Sequence, residues 1–334
     1  MSKKLFSLFV GFSFCLILTL QVHSQEQKLA IEQKTDTILC TANGKPLFVY
    51  RVSPSSSYEQ LPEKEYKTYI SELYTPEGRN ILRDSPWDHV HHHALMFAIA
   101  ADDVNFWEEH GKDNAGVQFE RSTFASQTEQ FMQNVNGSEQ WTSKAGILRQ
   151  VDWYKPDKTV VIQEDRSIRA ILASDDDVTL LTWTSTLAVG GRESVKLSGS
   201  HYYGLGMRFD ETMDKNGTFF CDADSTIAND NVRGDEKKTP CKWMAYTAEL
   251  HGKPVTVAVF DAPGNPRPMS AFTMGESGQS FAYISATVDL EKEPITLEKG
   301  KPLTFEYGVA VWEGKKSTDD VQNAWCFWLE NRKP

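Results

Sequence analysis

Residues 303–314 read Leu-Thr-Phe-Glu-Tyr-Gly-Val-Ala-Val-Trp-Glu-Gly. In an extended chain Phe305, Tyr307, Val309 and Val311 share one face and Glu306 takes the other, because successive strand side chains point to opposite sides. A helix cannot satisfy that period of two. Residues 179–189, 254–260 and 280–290 are likewise rich in Val, Thr and aromatics, the residues that pack well on a pleated surface. Asn-Gly pairs at 43–44, 136–137 and 216–217, and the glycines of 189–194, mark turns. Only the C-terminus reads as helix. Ser317 or Thr318 can cap it, acidic residues fill its first turn, and Val321, Ala324, Trp325, Trp328 and Leu329 form an apolar stripe. The expected fold is all-β: one large antiparallel β-sandwich with a C-terminal helix.

Residues 1–24 carry two lysines, an apolar run from Leu5 to Leu20 and a small Ser24 before Gln25. That is the pattern of a secretory signal peptide. Residues 25–334 are then expected as a single β-sandwich catalytic domain, exported, with the periplasm favoured over the medium. No membrane span is expected after the signal is removed. Losing Lys3 and Lys4 takes the formal charge from −11 to −13, which argues against nucleic acid as a partner. Cys40, Cys221, Cys241 and Cys326 are scattered with no C-x-x-C pair. One disulfide, Cys221–Cys241, or four free thiols are both compatible with that spacing.

Four of the eight histidines fall in Asp84–Phe97, at His89, His91, His92 and His93. Run as a strand, residues 89–97 would point His89, His91 and His93 one way and His92 the other, with same-face neighbours roughly 6.6 Å apart. Three readings follow: metal ligation by H-x-H with a third ligand such as Asp88, Asp102 or Asp103, hydrogen-bonded histidines at a sheet rim, or acid/base and substrate-binding groups in a cleft. The third is preferred, because histidine moves protons near neutral pH. No cofactor is expected, and a divalent metal at the cluster stays an open alternative. Further on, Trp107 offers a stacking platform with Glu108 beside it. Tyr203 and Arg208 sit among the glycines of Ser200–Asp210, where an arginine suits a carboxylate. Asn265 and Arg267 project from a loop stiffened by three prolines.

Together these stretches resemble a secreted bacterial family, PmoA-like, mislabelled as a methane-oxygenase subunit. The matching pieces are Asp88-His89-Val90-His91-His92-His93-Ala94-Leu95-Met96-Phe97-Ala98, then Asp102-Asp103-Val104-Asn105-Phe106-Trp107, then Tyr203-Gly204-Leu205-Gly206-Met207-Arg208, and Asp261-Ala262-Pro263-Gly264-Asn265-Pro266-Arg267. Val90, His93 and Ala94 stand where the family has Pro, Arg and Gly. The resemblance implies a galactose-mutarotase-like β-sandwich and a carbohydrate-active protein with an oligosaccharide partner. It does not supply the reaction.

A cluster of titratable groups favours catalysis over plain binding. The kit of histidine, tyrosine and arginine suggests a lyase: β-elimination on uronic-acid oligosaccharides, with His91, His92, Tyr203 and Arg208 catalytic. Arg83, His89, His93, Trp107, Glu108, Asn265 and Arg267 would bind substrate. The alternatives are a glycoside hydrolase or mutarotase using Glu108 and histidines, and a non-catalytic carbohydrate-binding protein.

Overall fold

The computed structural model describes residues 29–52, 67–109, 114–135, 138–173, 177–222, 230–275 and 281–333. The leader and the Asn136–Gly137 turn lie outside them. The described chain is mostly strand, in three antiparallel sheets, with one C-terminal helix. The first sheet has ten strands, in the order Leu29–Gln33, Thr37–Ala42, Lys45–Arg51, Tyr69–Leu73, Leu95–Ala98, Gly204–Arg208, Tyr283–Thr287, Ser270–Met274, Glu236–Pro240 and Asp230–Arg233. The second has eight, with Lys253–Asp261, Leu303–Glu313 and Val178–Val189 adjacent near its middle. The third has four short strands. Among the described residues, no helix is long and apolar enough to cross a membrane.

The Asn43–Gly44 turn closes the hairpin between Thr37–Ala42 and Lys45–Arg51, with φ of 52° and 80° at its two residues. Both lie in the left-handed region that a two-residue hairpin of this type needs. Residues 303–313 form the strand their alternation predicts. Phe305, Tyr307, Val309 and Val311 enter the main core between the sheets. Ala310 and Trp312 are buried on the opposite face, because the helix Thr318–Asn331 covers it. Ser317 and Asp320 close a capping box at the helix start. Trp328 anchors the helix by donating from Nε1 to Thr182 Oγ1 at 2.9 Å. Gly308 leaves room for that indole: a Cβ there would lie 2.8 Å from it.

The core also holds charge. The fully buried Glu164 accepts from both Nε and Nη2 of Arg166, from Trp153 Nε1 and from Ser185 Oγ. Arg166 spends its Nη1 donors on Tyr50 of the ten-stranded sheet and on Thr68, just before that sheet's strand Tyr69–Leu73. Every lone pair and proton is used, which is what makes a buried ion pair tolerable. All four cysteines of the described chain are free thiols, with Cys40 buried and Cys326 exposed. Of the two readings the spacing left open, the free-thiol one holds.

Register sets what each face of the ten-stranded sheet carries. Leu205 pairs with Phe97, whose ring meets Trp153 and Phe305 of the opposite sheet, so their shared face is the core. Gly206 and Arg208 therefore point away from it. Arg208 pairs with Tyr283, Tyr283 with Met274, and Phe272 with Lys238. This outer face carries the site.

Candidate active site

The histidine stretch is not a strand. A regular strand begins only at Leu95, after a single bridge between His93 and Asp84. Before it the chain makes tight turns, with His89 N donating to Pro86 O and His92 N to His89 O. Ser85 and Ala94 bracket the turns with φ of 44° and 40°. Non-glycine residues there are strained, a state common around functional sites. Pro86 and these two kinks override the alternation. His89, His91 and His92 consequently converge instead of splitting between two faces. The rings of His89 and His92 stack at 4.7 Å, and His91 meets His92 edge-on at 4.7 Å. All three line one cleft of about 220 Å³ with Glu108, Tyr202, Arg233, Glu236, Phe272, Met274, Phe281 and Tyr283.

His93 turns the other way. It is 2 % exposed, packed at a tilt against Tyr69 with centroids 4.5 Å apart, and bonded to Asp84 through Nδ1 and to Glu109 through Nε2. Burial opposes charging of this imidazole, but the two carboxylates outweigh it and its pKa is raised. It is a pin under the loop and not a substrate ligand as expected.

Trp107 also departs from expectation. It is 1 % exposed and lies flat on Tyr203, centroids 5.2 Å apart and planes 7° from parallel. Neither ring lines the cleft. They form the layer beneath it, and Gly206 makes that possible: a Cβ there would lie 1.8 Å from the Tyr283 hydroxyl and 2.8 Å from Trp107. Gly206 of Gly-Leu-Gly thus admits aromatic rings, while a Cβ on Gly204 would meet the Ala286 carbonyl of the neighbouring strand. Tyr202, outside the expected set, takes the position at the cleft that was assigned to Tyr203.

Arg208 lies on the expected face but is 1 % exposed and does not line the cleft. Its guanidinium packs over Phe281 at 3.7 Å, with Nη2 3.4 Å from Asp88 and 3.8 Å from Asp214. Burial brings its pKa down to about 10. Arg83 sits 3.5 Å from Glu211. Asn265 spends its amide on neighbouring strands, donating to Asp261 and Glu306 O and accepting from Glu306 N. Arg267 donates to Val288 O at 2.9 Å. Both residues tie the proline-stiffened loop to its neighbours.

Glu108 lines the cleft. Its carboxylate lies 3.6 Å from His91 Nδ1. Asn105 Oδ1 accepts from Trp107 N and Glu108 N. The buried Lys67 places Nζ on the carbonyls of Phe106 and Trp107, each at 2.8 Å, and on that of Glu108. Nothing in the sequence around Lys67 announces this role. Burial lowers the His91 pKa, opposed by Glu108, so the imidazole is neutral at pH 7. His92 is driven down to about 2 by burial and by the neighbouring His91, His89 and Arg208. Tyr202 has its pKa raised, by burial first and then by Glu108, so its phenol keeps its proton. Across the cleft Glu236 is 5 % exposed and is held by Arg233 at 2.8 Å. Among the described residues, no group of three His, Cys, Asp or Glu is placed to hold a metal ion.

The fold and the cleft define an all-β sandwich carrying an imidazole–carboxylate pair on an aromatic floor. The chain belongs to the family of unknown function DUF6807, whose model matches residues 37–326. No curated protein matches it. Among solved structures it is similar to a Klebsiella pneumoniae protein assigned as an aldose 1-epimerase, at 10 % identity and a TM-score of 0.47, covering 92 % of this chain and 90 % of that one. It is also similar to the GH36 α-galactosidase AgaA from Geobacillus stearothermophilus, at 9 % identity and a TM-score of 0.42. That match covers 86 % of this chain and 41 % of the galactosidase, so this chain spans less than half of that protein. Likenesses at this level are of general shape alone.

Proposed function

We propose that this protein is a carbohydrate-processing enzyme that moves protons at the anomeric centre of a neutral aldose, opening and closing its ring. The observation that carries this reading is the His91–Glu108 pair, 3.6 Å apart in an aromatic-lined cleft, with the turn bearing Glu108 fixed by Lys67 and Asn105. Neutral His91 takes the proton of the anomeric hydroxyl on Nε2. Glu108 faces Nδ1 and stabilises the imidazolium that forms, in the manner of a base oriented by a carboxylate. The 3.6 Å gap is longer than a hydrogen bond, and such contacts commonly tighten when substrate binds. As the ring C–O bond breaks, its electrons pass to the ring oxygen, which takes the phenolic proton of Tyr202. Closure on the other face returns both protons. The apolar edges of Phe272, Phe281 and Tyr283 suit the C–H face of a sugar.

Elimination on a uronic acid is less well supported. It needs a cation facing the substrate carboxylate. Arg208 is turned to Asp88 and Asp214, and Arg233, the arginine lining the cleft, is paired with Glu236. Two carboxylates in the cleft favour a neutral ligand. The presence of both Glu108 and Glu236 supports glycoside hydrolysis as a second reading, since that chemistry uses a carboxyl pair. Mass spectrometry with neutral and acidic sugars, combined with optical rotation, separates the cases. Anomer exchange without mass change is the expected result. Gain of water means hydrolysis, loss of water means elimination, and no change of either kind with binding retained means a non-catalytic binder. We also infer export with a mature start at Gln25. N-terminal sequencing that finds Met1 on the mature protein would overturn it.

A further inference from the structure

Three buried polar atoms on residues lining the cleft lack a hydrogen-bond partner: the Tyr283 hydroxyl, which lies against Gly206, and two others, His92 Nδ1 and Glu236 Oε2. The Glu236 side chain is 7 % exposed, and its Oε1 is occupied by Arg233 Nη2 at 2.8 Å. His201 Nε2 comes within 3.3 Å of Oε2, but its direction is wrong for a hydrogen bond, and that nitrogen is itself unpartnered. His92 is equally enclosed, at 7 % exposure, and stacks on Tyr283 at 5.0 Å. Tyr283 in turn meets Phe272 at 6.3 Å, so an aromatic floor accompanies the two atoms. Native structures rarely leave buried polar groups unpaired, and such a group in a cleft calls for a ligand atom.

We propose that Glu236 Oε2 and His92 Nδ1 form a hydroxyl clamp that selects a neutral pyranose with two free ring hydroxyls. This rests on the reading of the cleft as a carbohydrate site, and adds how the sugar is chosen. The carboxylate accepts one hydroxyl proton in a charge-assisted bond, the stronger kind. The neutral imidazole serves the second hydroxyl, as donor or acceptor according to its tautomer. Glu236 repels an acidic sugar at the same position, and Arg233 keeps the carboxylate aimed. The ring between the two hydroxyls lies over Tyr283 and Phe272.

Methyl glycosides test this without the reaction, because they lack the anomeric hydroxyl and cannot open. Methyl β-D-glucopyranoside, methyl β-D-galactopyranoside, methyl α-D-mannopyranoside, their monodeoxy analogues and methyl β-D-glucuronide are titrated into the full chain by calorimetry. At least one neutral glycoside is expected to bind more tightly than the glucuronide. Glu236→Gln and His92→Phe, which keep shape and stacking, are each expected to weaken it about tenfold to a hundredfold. One deoxy analogue should lose a similar factor on wild type and nothing further on Glu236→Gln. The deoxy arm needs only wild-type protein and stands even if a variant fails to fold. The clamp is overturned if every deoxy analogue binds within about threefold of its parent, or if no neutral glycoside binds. Binding with the clamp intact but no anomer exchange on free sugars would reject the proton-transfer reading and leave the clamp standing.

Discussion

His93 Nε2 lies 2.6 Å from Glu109 Oε1, sealed beneath the same loop that presents His91 and His92 to the cleft. The His93 pKa is raised, so its contribution to stability is complete below the unfolded value of about 6.5 and is lost as pH rises through the folded value. The Glu109 pKa is lowered against the pull of burial, so its contribution is present above about 4.5 and is lost on acidification. His93→Phe should therefore cost about 2–4 kcal/mol near pH 6. Urea denaturation at pH 6 and pH 9 checks the sign: the gap to wild type narrows at the higher pH. An equal gap at both would show that packing alone is lost.

Lys67 reaches three successive carbonyls around Glu108. Lys67→Met removes all three bonds and frees the turn. A shift of about 1 Å in a catalytic group costs on the order of a hundredfold in rate. The expected result is a loss of that order in kcat, with methyl glycoside binding nearly unchanged. Equal losses in binding and kcat would mean that Lys67 supports the whole cleft rather than Glu108.

Trp107 is buried against Tyr203, so Trp107→Ala should destabilise the fold by about 3–5 kcal/mol, as large-to-small core changes do. Gly206→Ala puts a methyl into Tyr283 and Trp107 and should cost about 1–3 kcal/mol by overpacking. Thermal denaturation of both variants tests this. A Trp107→Ala protein of wild-type stability with weakened sugar binding would restore Trp107 as a contact platform.

Asn265 joins its loop to Asp261 and Glu306 through three hydrogen bonds. Asn265→Ala leaves those partners unpaired, at about 1–3 kcal/mol of stability. Methyl glycoside affinity should be unchanged in the folded variant, which calorimetry can read directly.

The strands and the helix were legible because their periodicity is local: Phe305, Tyr307, Val309 and Val311 declare a core face, and Ser317 or Thr318 ahead of acidic residues declares a helix start. The histidine loop was legible as a site but not as a shape. Alternation was the available rule, and Pro86 with the left-handed Ser85 and Ala94 broke it. His89, His91, His92 and Glu108 stand out because chemistry concentrates in one short stretch, and the fold brings them to one cleft. Glu236, Arg233 and Tyr202 were missed as members of the site because register across distant strands brings them there. Lys67 was missed because a single lysine in a sequence looks like surface. Trp107, Asn265 and Arg267 are chemically capable residues whose capacity is spent on packing and on backbone carbonyls, which only the folded chain reveals.

The central claim is that His91 and Glu108 move protons at the anomeric centre of a neutral aldose. Exchange NMR measures it most directly, by following magnetisation between the α and β anomers of glucose, galactose and mannose at a pH near 7. Wild-type protein is expected to speed exchange of at least one sugar above the buffer rate. His91→Asn and Glu108→Gln should each lose about 10²-fold or more of that acceleration, while still binding the corresponding methyl glycoside. Exchange at the buffer rate for every sugar, with a neutral glycoside bound in the cleft, would contradict the account.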